Sequence, residues 1–240
     1  MGRSGKTRLA LLVAAVVAAA GCMIPVIEPG ADAPKPTAPT QPRTTGESLE
    51  GKFSYDTMDD YVNAVIPLIT PFIEETWPGM PLPRVVYVPE GAVGREGCAD
   101  ASGRQARYSS RSYEYCPVDG TIYVGQDMLW QFYTETGDAG PAVGLAHEYG
   151  HHVQSQLRLP IGRMSSVDVE NQADCVAGAW TRYTDEVLGA LEYPDDIEDI
   201  EALFPLIGSA EGPGRDHGTA EERAMWFQAG FNDGIAACDL

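Results

Sequence analysis

His147-Glu148-Tyr149-Gly150-His151 sets two histidines four positions apart, and on a helix residues at that spacing project from one face. Both imidazoles can then reach one cation. Glu148 follows the first histidine by one position, where it can take a proton from a water held beside that cation. Zinc suits imidazole nitrogen, and a catalytic zinc keeps three protein ligands and one open position. The flanks favour a helix over roughly 139–158. Asp138 is a suitable N-cap, Pro141 falls in the first turn, and Val143, Leu145, Ala146, Val153 and Leu157 supply apolar faces. Gly150 costs such a helix about 1 kcal/mol relative to alanine. Its smallness suits either a close approach to the metal or a helix–helix contact.

A third ligand is sought downstream. Ser165-Ser166-Val167-Asp168 has the composition of a helix start, and Glu170-Asn171-Gln172-Ala173-Asp174 follows. Glu170 and Asp174 share one face of a second helix, expected over 166–190. If that helix packs antiparallel to the first through a turn at Leu159-Pro160-Ile161-Gly162, Glu170 completes the zinc site. Asp174 then accepts a hydrogen bond from a ligand histidine and fixes its tautomer. The alternative is two carboxylates on a solvated helix face. The chain has four histidines. His152 points about 100° away from its neighbour His151, which suits packing. His217 precedes a capping-box pattern, Thr219 with Glu222, and a histidine at that helix entrance could donate to an oxyanion formed at the metal.

The 240 residues accommodate one substantial domain and a tail, and 44% hydrophobic content supports a packed core. A formal net charge of −19 argues against nucleic acid and against docking to anionic lipid. Arg3, Lys6 and Arg8 precede an uninterrupted apolar run from Leu9 to Ala20. That pattern is a signal peptide over 1–21, too short for a mature span, which needs about 20 residues. Ala19-Ala20-Gly21-Cys22 resembles a lipobox, so the expectation is an exported lipoprotein anchored through Cys22 on the extracytoplasmic face of the cell membrane. Ala19 stands where leucine is usual, which keeps ordinary cleavage after Ala20 open. Residues 22–50, rich in Pro, Thr and Ala, read as an extended tether, and 51–240 as the folded domain.

With Cys22 lipidated, four cysteines remain for an oxidising compartment. They can pair in three ways. The expected pairs are Cys98 with Cys116, closing a polar loop, and Cys175 with Cys238, pinning the C-terminus to a helix; buried thiols are the alternative for the second pair. Arg84–Val88 and Thr121–Val124 are strand candidates for a small sheet. Tyr61, Val65, Leu68, Ile69 and Phe72 recur at helical spacing, in a helix that Pro67 and Pro71 should kink or divide. Further helices are expected over 126–135, 195–207 and 219–234. The fold class is therefore α+β, mostly helical.

Three separated blocks together resemble one family. They are His147-Glu-Tyr-Gly-His-His-Val-Gln154, Glu170-Asn-Gln-Ala-Asp-Cys-Val-Ala-Gly-Ala-Trp180, and His217-Gly-Thr-Ala-Glu-Glu-Arg223 with Trp226-Phe-Gln-Ala-Gly-Phe231. In this order they are similar to the bacterial putative neutral zinc metallopeptidases, and the segment from Cys98 to Cys116 adds to the likeness. The resemblance implies a zincin-like domain of the gluzincin type, with His147, His151 and Glu170 on zinc and Glu148 as general base. It also implies a supporting role for Asp174 and Arg223, an oxyanion role for His217, and a peptide or protein as substrate. The acidic stretch Asp195 to Glu201 lies outside every motif of the resemblance. Two other activities fit the same residues: a lipid-tethered binding or chaperone-like module with a non-catalytic zinc, and a hydrolase of non-peptide substrates.

Overall fold

Tyr61, Val65, Ile69 and Phe72 form the buried stripe of helix α1 (Met58–Thr76). The structure is a computed structural model and describes residues 48–92, 96–99 and 105–240. The expected leader, Cys22 and the tether as far as residue 47 lie outside the described residues. Of the kink or division expected at the prolines, division does not occur: α1 continues through Pro67 and Pro71. The two are four apart on the outer side, Pro67 exposed and Pro71 half-buried, so the carbonyls they leave unpaired face outward while the inner face stays packed. Ordered contacts also begin before residue 51, the expected start of the folded domain. The Leu49 N–H donates to Asp138 Oδ2 at 2.9 Å, and Tyr133 donates its hydroxyl to the Leu49 carbonyl at 2.7 Å.

A three-stranded sheet follows, made of β1 (Arg84–Val88), β4 (Tyr113–Cys116) and β5 (Thr121–Gly125). The strand order is β1-β5-β4, with β1 parallel and β4 antiparallel to β5. A separate antiparallel ribbon, β2 (Glu96–Ala99) with β3 (Gln105–Arg107), occupies the stretch read from sequence as a loop. The Cys98–Cys116 disulfide ties this ribbon to the end of β4. These strands are too short and too polar to show alternation, so their residues alone give no period-2 signal.

Helices α2 (Gln126–Thr136), α3 (Ala139–Gln156), α4 (Ser166–Tyr183), α5 (Asp195–Ile207) and α6 (Ala220–Asp233) complete the domain. The helix expected over 166–190 is shorter. It ends at Tyr183, passes through a π-helical turn at Thr184–Leu188 and stops at Gly189, whose φ of 63° is left-handed. α3 is the centre of the molecule, in contact with α2, α4, α5 and β4. Gly150 is explained by the α3–α4 contact: a Cβ there would lie 3.0 Å from the Ala173 backbone. α4 and α6 cross closer still, Gly178 against the Phe227 carbonyl and Gly230 against the Cys175 carbonyl. The Cys175–Cys238 disulfide fastens the C-terminal turn to α4. No helix among the described residues is long and apolar enough to cross a membrane. The architecture is mostly helical α+β with a small three-stranded sheet.

Candidate metal centre

The centre lies where α3 and α4 pack together. His147 and His151 project from α3 one turn apart, and Glu170 comes from the first half of α4. One ligand atom from each lies within 4.8 Å of the others. His147 Nε2 is 3.2 Å from Glu170 Oε2, and His151 Nε2 is 3.4 Å from Glu170 Oε1.

The outer nitrogens are both engaged. His147 Nδ1–H donates to Asp174 Oδ1 at 2.7 Å, and His151 Nδ1–H donates to Gln154 Oε1 at 2.8 Å. With Nδ1 protonated on each ring, both Nε2 lone pairs turn inward to face a carboxylate. Three acceptors converging on one point require a positive charge among them. Two imidazole nitrogens and one carboxylate suit zinc well.

With protons as the only cations, these groups charge one another. Burial opposes protonation of His147, but the Asp174 charge and the hydrogen bonds to Asp174 and Glu170 raise its pKa to about 10. His151 is raised as well, where burial is overcome chiefly by its hydrogen bond to Glu170. Burial favours the neutral form of Glu170, yet hydrogen bonds to both histidines hold it far below the carboxylate range.

Asp174 is anchored in turn by Arg223 from the first turn of α6. Arg223 Nε reaches Asp174 Oδ2 and Nη2 reaches Asp174 Oδ1, both at 2.8 Å, in a bidentate pair that is almost wholly buried. Arg223 Nη1 also donates to the Ile207 carbonyl at 3.1 Å. α6 therefore reaches the inner end of the centre through one guanidinium, and the Thr219–Glu222 capping box starts that helix.

Glu148 sits beside the two histidines and is buried. Its Oε2 accepts from the Tyr115 N–H at 2.7 Å. That N–H belongs to the outer side of β4, the strand that forms one edge of the sheet. Burial pushes the Glu148 carboxyl up, against the opposing pull of His151 and His147. His217 stands at the rim, exposed, with Nε2 3.5 Å from Glu170 Oε2. A cleft of about 700 Å³ opens over these groups, and Tyr113, Met128, Phe132, Leu203 and Leu206 form its apolar walls.

The structure thus brings His147, Glu148, His151, Glu170, Asp174, His217 and Arg223 to one cleft. His152 is turned away: its Nε2–H donates to the Pro81 carbonyl at 2.7 Å, and its ring packs edge-on against Tyr115. Two participants were missed in the sequence. Gln154, three residues past His151, orients that ring, and its own Nε2 donates to the Val169 carbonyl and to Gln172 Oε1. Its i,i+3 spacing from His151 was the available signal. The Tyr115 N–H is a backbone group in a strand without periodicity and gave none.

Comparison with known proteins agrees with this chemistry. The sequence profile of the putative neutral zinc metallopeptidase family matches residues 2–240. An uncharacterized protein of Mycobacterium tuberculosis, Rv2575, is 33% identical over 175 residues that cover 60% of this chain and 57% of the relative. Uncharacterized protein YpfJ of Escherichia coli is 33% identical over 150 residues, covering 51% of each chain. The chain thus spans a little over half the length of the curated relatives it matches. No solved structure matches it. By its profile across nearly the whole sequence, the chain belongs to the putative neutral zinc metallopeptidase family.

Proposed function

We propose that the cleft is the active site of a zinc-dependent endopeptidase of the zincin type, with His147, His151 and Glu170 as the metal ligands and Glu148 as the general base. One observation carries this: two Nε2 atoms and a carboxylate converge at the floor of an open cleft, next to a buried glutamate that is not among them. A structural zinc site usually closes all four positions with protein ligands; three ligands under an open cleft leave room for a substrate.

Bound zinc supplies Lewis acidity, which polarises a scissile carbonyl and makes a water acidic. The rest of the reaction falls to the chain's own groups. Tyr115 holds Oε2 of Glu148, which leaves Oε1 to take a proton from the attacking water and pass it to the leaving amine. Burial raises the basicity of that carboxylate toward the working pH. His217, at the rim, donates to the developing oxyanion. Asp174 and Arg223 touch no substrate; they hold His147 in the tautomer that presents Nε2. The enzyme would act on peptides or proteins outside the cytoplasm, tethered through lipidated Cys22. Two disulfides support an oxidising compartment, and palmitate labelling that disappears in Cys22→Ala would test the anchor.

The test of the activity is a broad peptide library digested by zinc-loaded wild type, by wild type stripped with a chelator, and by Glu148→Gln. Cleavage should disappear with the chelator and return with zinc. Glu148→Gln should lose roughly 10²–10⁴-fold in rate while zinc content and thermal midpoint stay at wild-type values. Wild-type turnover by that variant would remove Glu148 from the mechanism. Bound zinc with no cleavage of any peptide would favour a binding module.

A further inference from the structure

The acidic stretch at the start of α5 meets the start of α3 at a second group of carboxylates, remote from the cleft. Oxygen atoms of Glu50, Asp138 and Asp199 lie within 4.8 Å of one another. Asp138 is 7% exposed. It occupies the N-cap position of α3 without capping it. Its Oδ2 accepts from the Leu49 N–H at 2.9 Å, while its Oδ1, fully buried, has no hydrogen-bond partner among the described residues. The Ala139 N–H, at the first position of α3, donates at 3.1 Å to Asp199 Oδ2 from α5. Glu192 and Asp196 lie close by and line, with Asp138, a cavity of about 190 Å³.

The positive ends of helices do not balance this group. A helix N-terminus carries roughly half an elementary charge, and α3 and α5 together offer about one against three clustered carboxylates. A buried carboxylate oxygen without a hydrogen bond is expensive. Burial first, then repulsion from Asp138, Asp195 and Glu50, raises the Asp199 carboxyl to about 7. Burial and the charges of Asp138, Glu192 and Asp199 bring Asp196 to the same level.

We propose that Glu50, Asp138 and Asp199 form a calcium site that fixes the start of α3. The donors are all hard oxygens, the set that calcium prefers over zinc. Two ligands each about 2.4 Å from a calcium ion are at most about 4.8 Å apart, the limit within which these atoms lie. Carboxylates bind in one- or two-oxygen mode, and water in the adjoining cavity completes the coordination. The ion joins three parts of the chain that share no secondary structure: the N-terminal segment at Glu50, the start of α3 and the first turns of α5. Asp138 precedes His147 by nine positions, about 14 Å along the helix, so this ion is separate from the zinc while bracing the helix that carries His147, Glu148 and His151.

The full chain, stripped of divalent ions and reloaded with one equivalent of zinc, is the material for the test. Calcium at 1 mM should raise its thermal unfolding midpoint by several degrees, with zinc content unchanged. Terbium, a calcium surrogate, should luminesce by energy transfer from Tyr61, whose hydroxyl donates to the Asp138 carbonyl, and calcium should displace it. Glu50→Gln/Asp199→Asn keeps an acceptor for the Ala139 N–H and removes two charges. This variant should be more stable than wild type without calcium and should lose both responses. No midpoint shift in wild type at 10 mM calcium, an equal shift with magnesium, or an undiminished shift in the double variant would each overturn the proposal.

Discussion

The Asp174–Arg223 pair shows how much of the centre depends on residues that never touch a substrate. Asp174 accepts from His147 on one side and from both arms of the Arg223 fork on the other. Burial works against its charge, yet His147 first and then Arg223 hold its carboxyl below the usual range. Removing Arg223 leaves that carboxylate buried with half of its partners, and breaking a buried pair costs about 3–5 kcal/mol. Arg223→Gln should therefore lower the unfolding free energy by about that amount in a chemical denaturation curve, and an unchanged midpoint would show that the pair holds nothing. Asp174→Ala should weaken zinc roughly 10–100-fold, the usual cost of losing a partner of a ligand histidine, as read by competition with a chromophoric chelator. Gln154→Ala should cost less, because a neutral amide polarises the His151 ring less than a carboxylate polarises that of His147. Helices α3 and α4 and the facing of these groups were legible because His147/His151 and Glu170/Asp174 each repeat at four. Gln154 was legible in principle, from its spacing. That Arg223 would lock onto Asp174 depended on where α6 crosses α4, and no local pattern encodes a crossing.

At the scale of elements, that crossing is set by glycine. Gly178 and Gly230 let the two backbones meet, and a Cβ on either would collide with a carbonyl oxygen that cannot move aside. Gly150 is different. A Cβ there meets Ala173 at 3.0 Å, a contact that a shift of a few tenths of an ångström relieves, and alanine would return about 1 kcal/mol of helix propensity. Gly230→Ala should thus destabilise by about 1–3 kcal/mol or more, with zinc affinity falling as Arg223 moves off Asp174. Gly150→Ala should be close to neutral. Equal losses from both, measured by thermal melts with zinc titrations alongside, would show that the crossing does not depend on these glycines. The same scale explains what sequence reasoning got wrong. α1 runs through Pro67 and Pro71 because its opposite face is anchored by burial and by contacts such as the Trp180 indole N–H on the Leu68 carbonyl at 3.0 Å. A propensity argument weighs the prolines and is blind to that anchoring. The ribbon of β2 and β3 was invisible for the converse reason, since their mutual pairing and the Cys98–Cys116 disulfide hold strands too short to announce themselves.

For the molecule as a whole, the acidic balance has a direction that pH can test. Asp196 and Asp199 titrate at about 7 in the fold against an ordinary 3.8. Between those values the folded chain binds more protons than the unfolded one, so stability should fall as pH rises from about 4 to 7 and level off above. The groups facing them share the sign: Glu50, Asp138, Glu192 and Asp195 are all acidic, and burial, followed by their charges, raises Asp138 too. The neighbouring phenols of Tyr61 and Tyr133 are pushed upward, out of this window. Glu148 and Glu114, both raised by burial, add a slope of the same sign, so the slope alone does not locate its source. Two comparisons do. Asp196→Asn should flatten the profile between pH 5 and 7 in zinc-loaded, calcium-free protein, where the histidine nitrogens carry metal in place of protons. Calcium should restore more stability at pH 8 than at pH 5, because protons and calcium compete for the same oxygens. A calcium increment that is the same at both pH values, or a profile that Asp196→Asn leaves unchanged, would mean that the carboxylates at the start of α3 and α5 are neutralised by something other than a proton or a calcium ion.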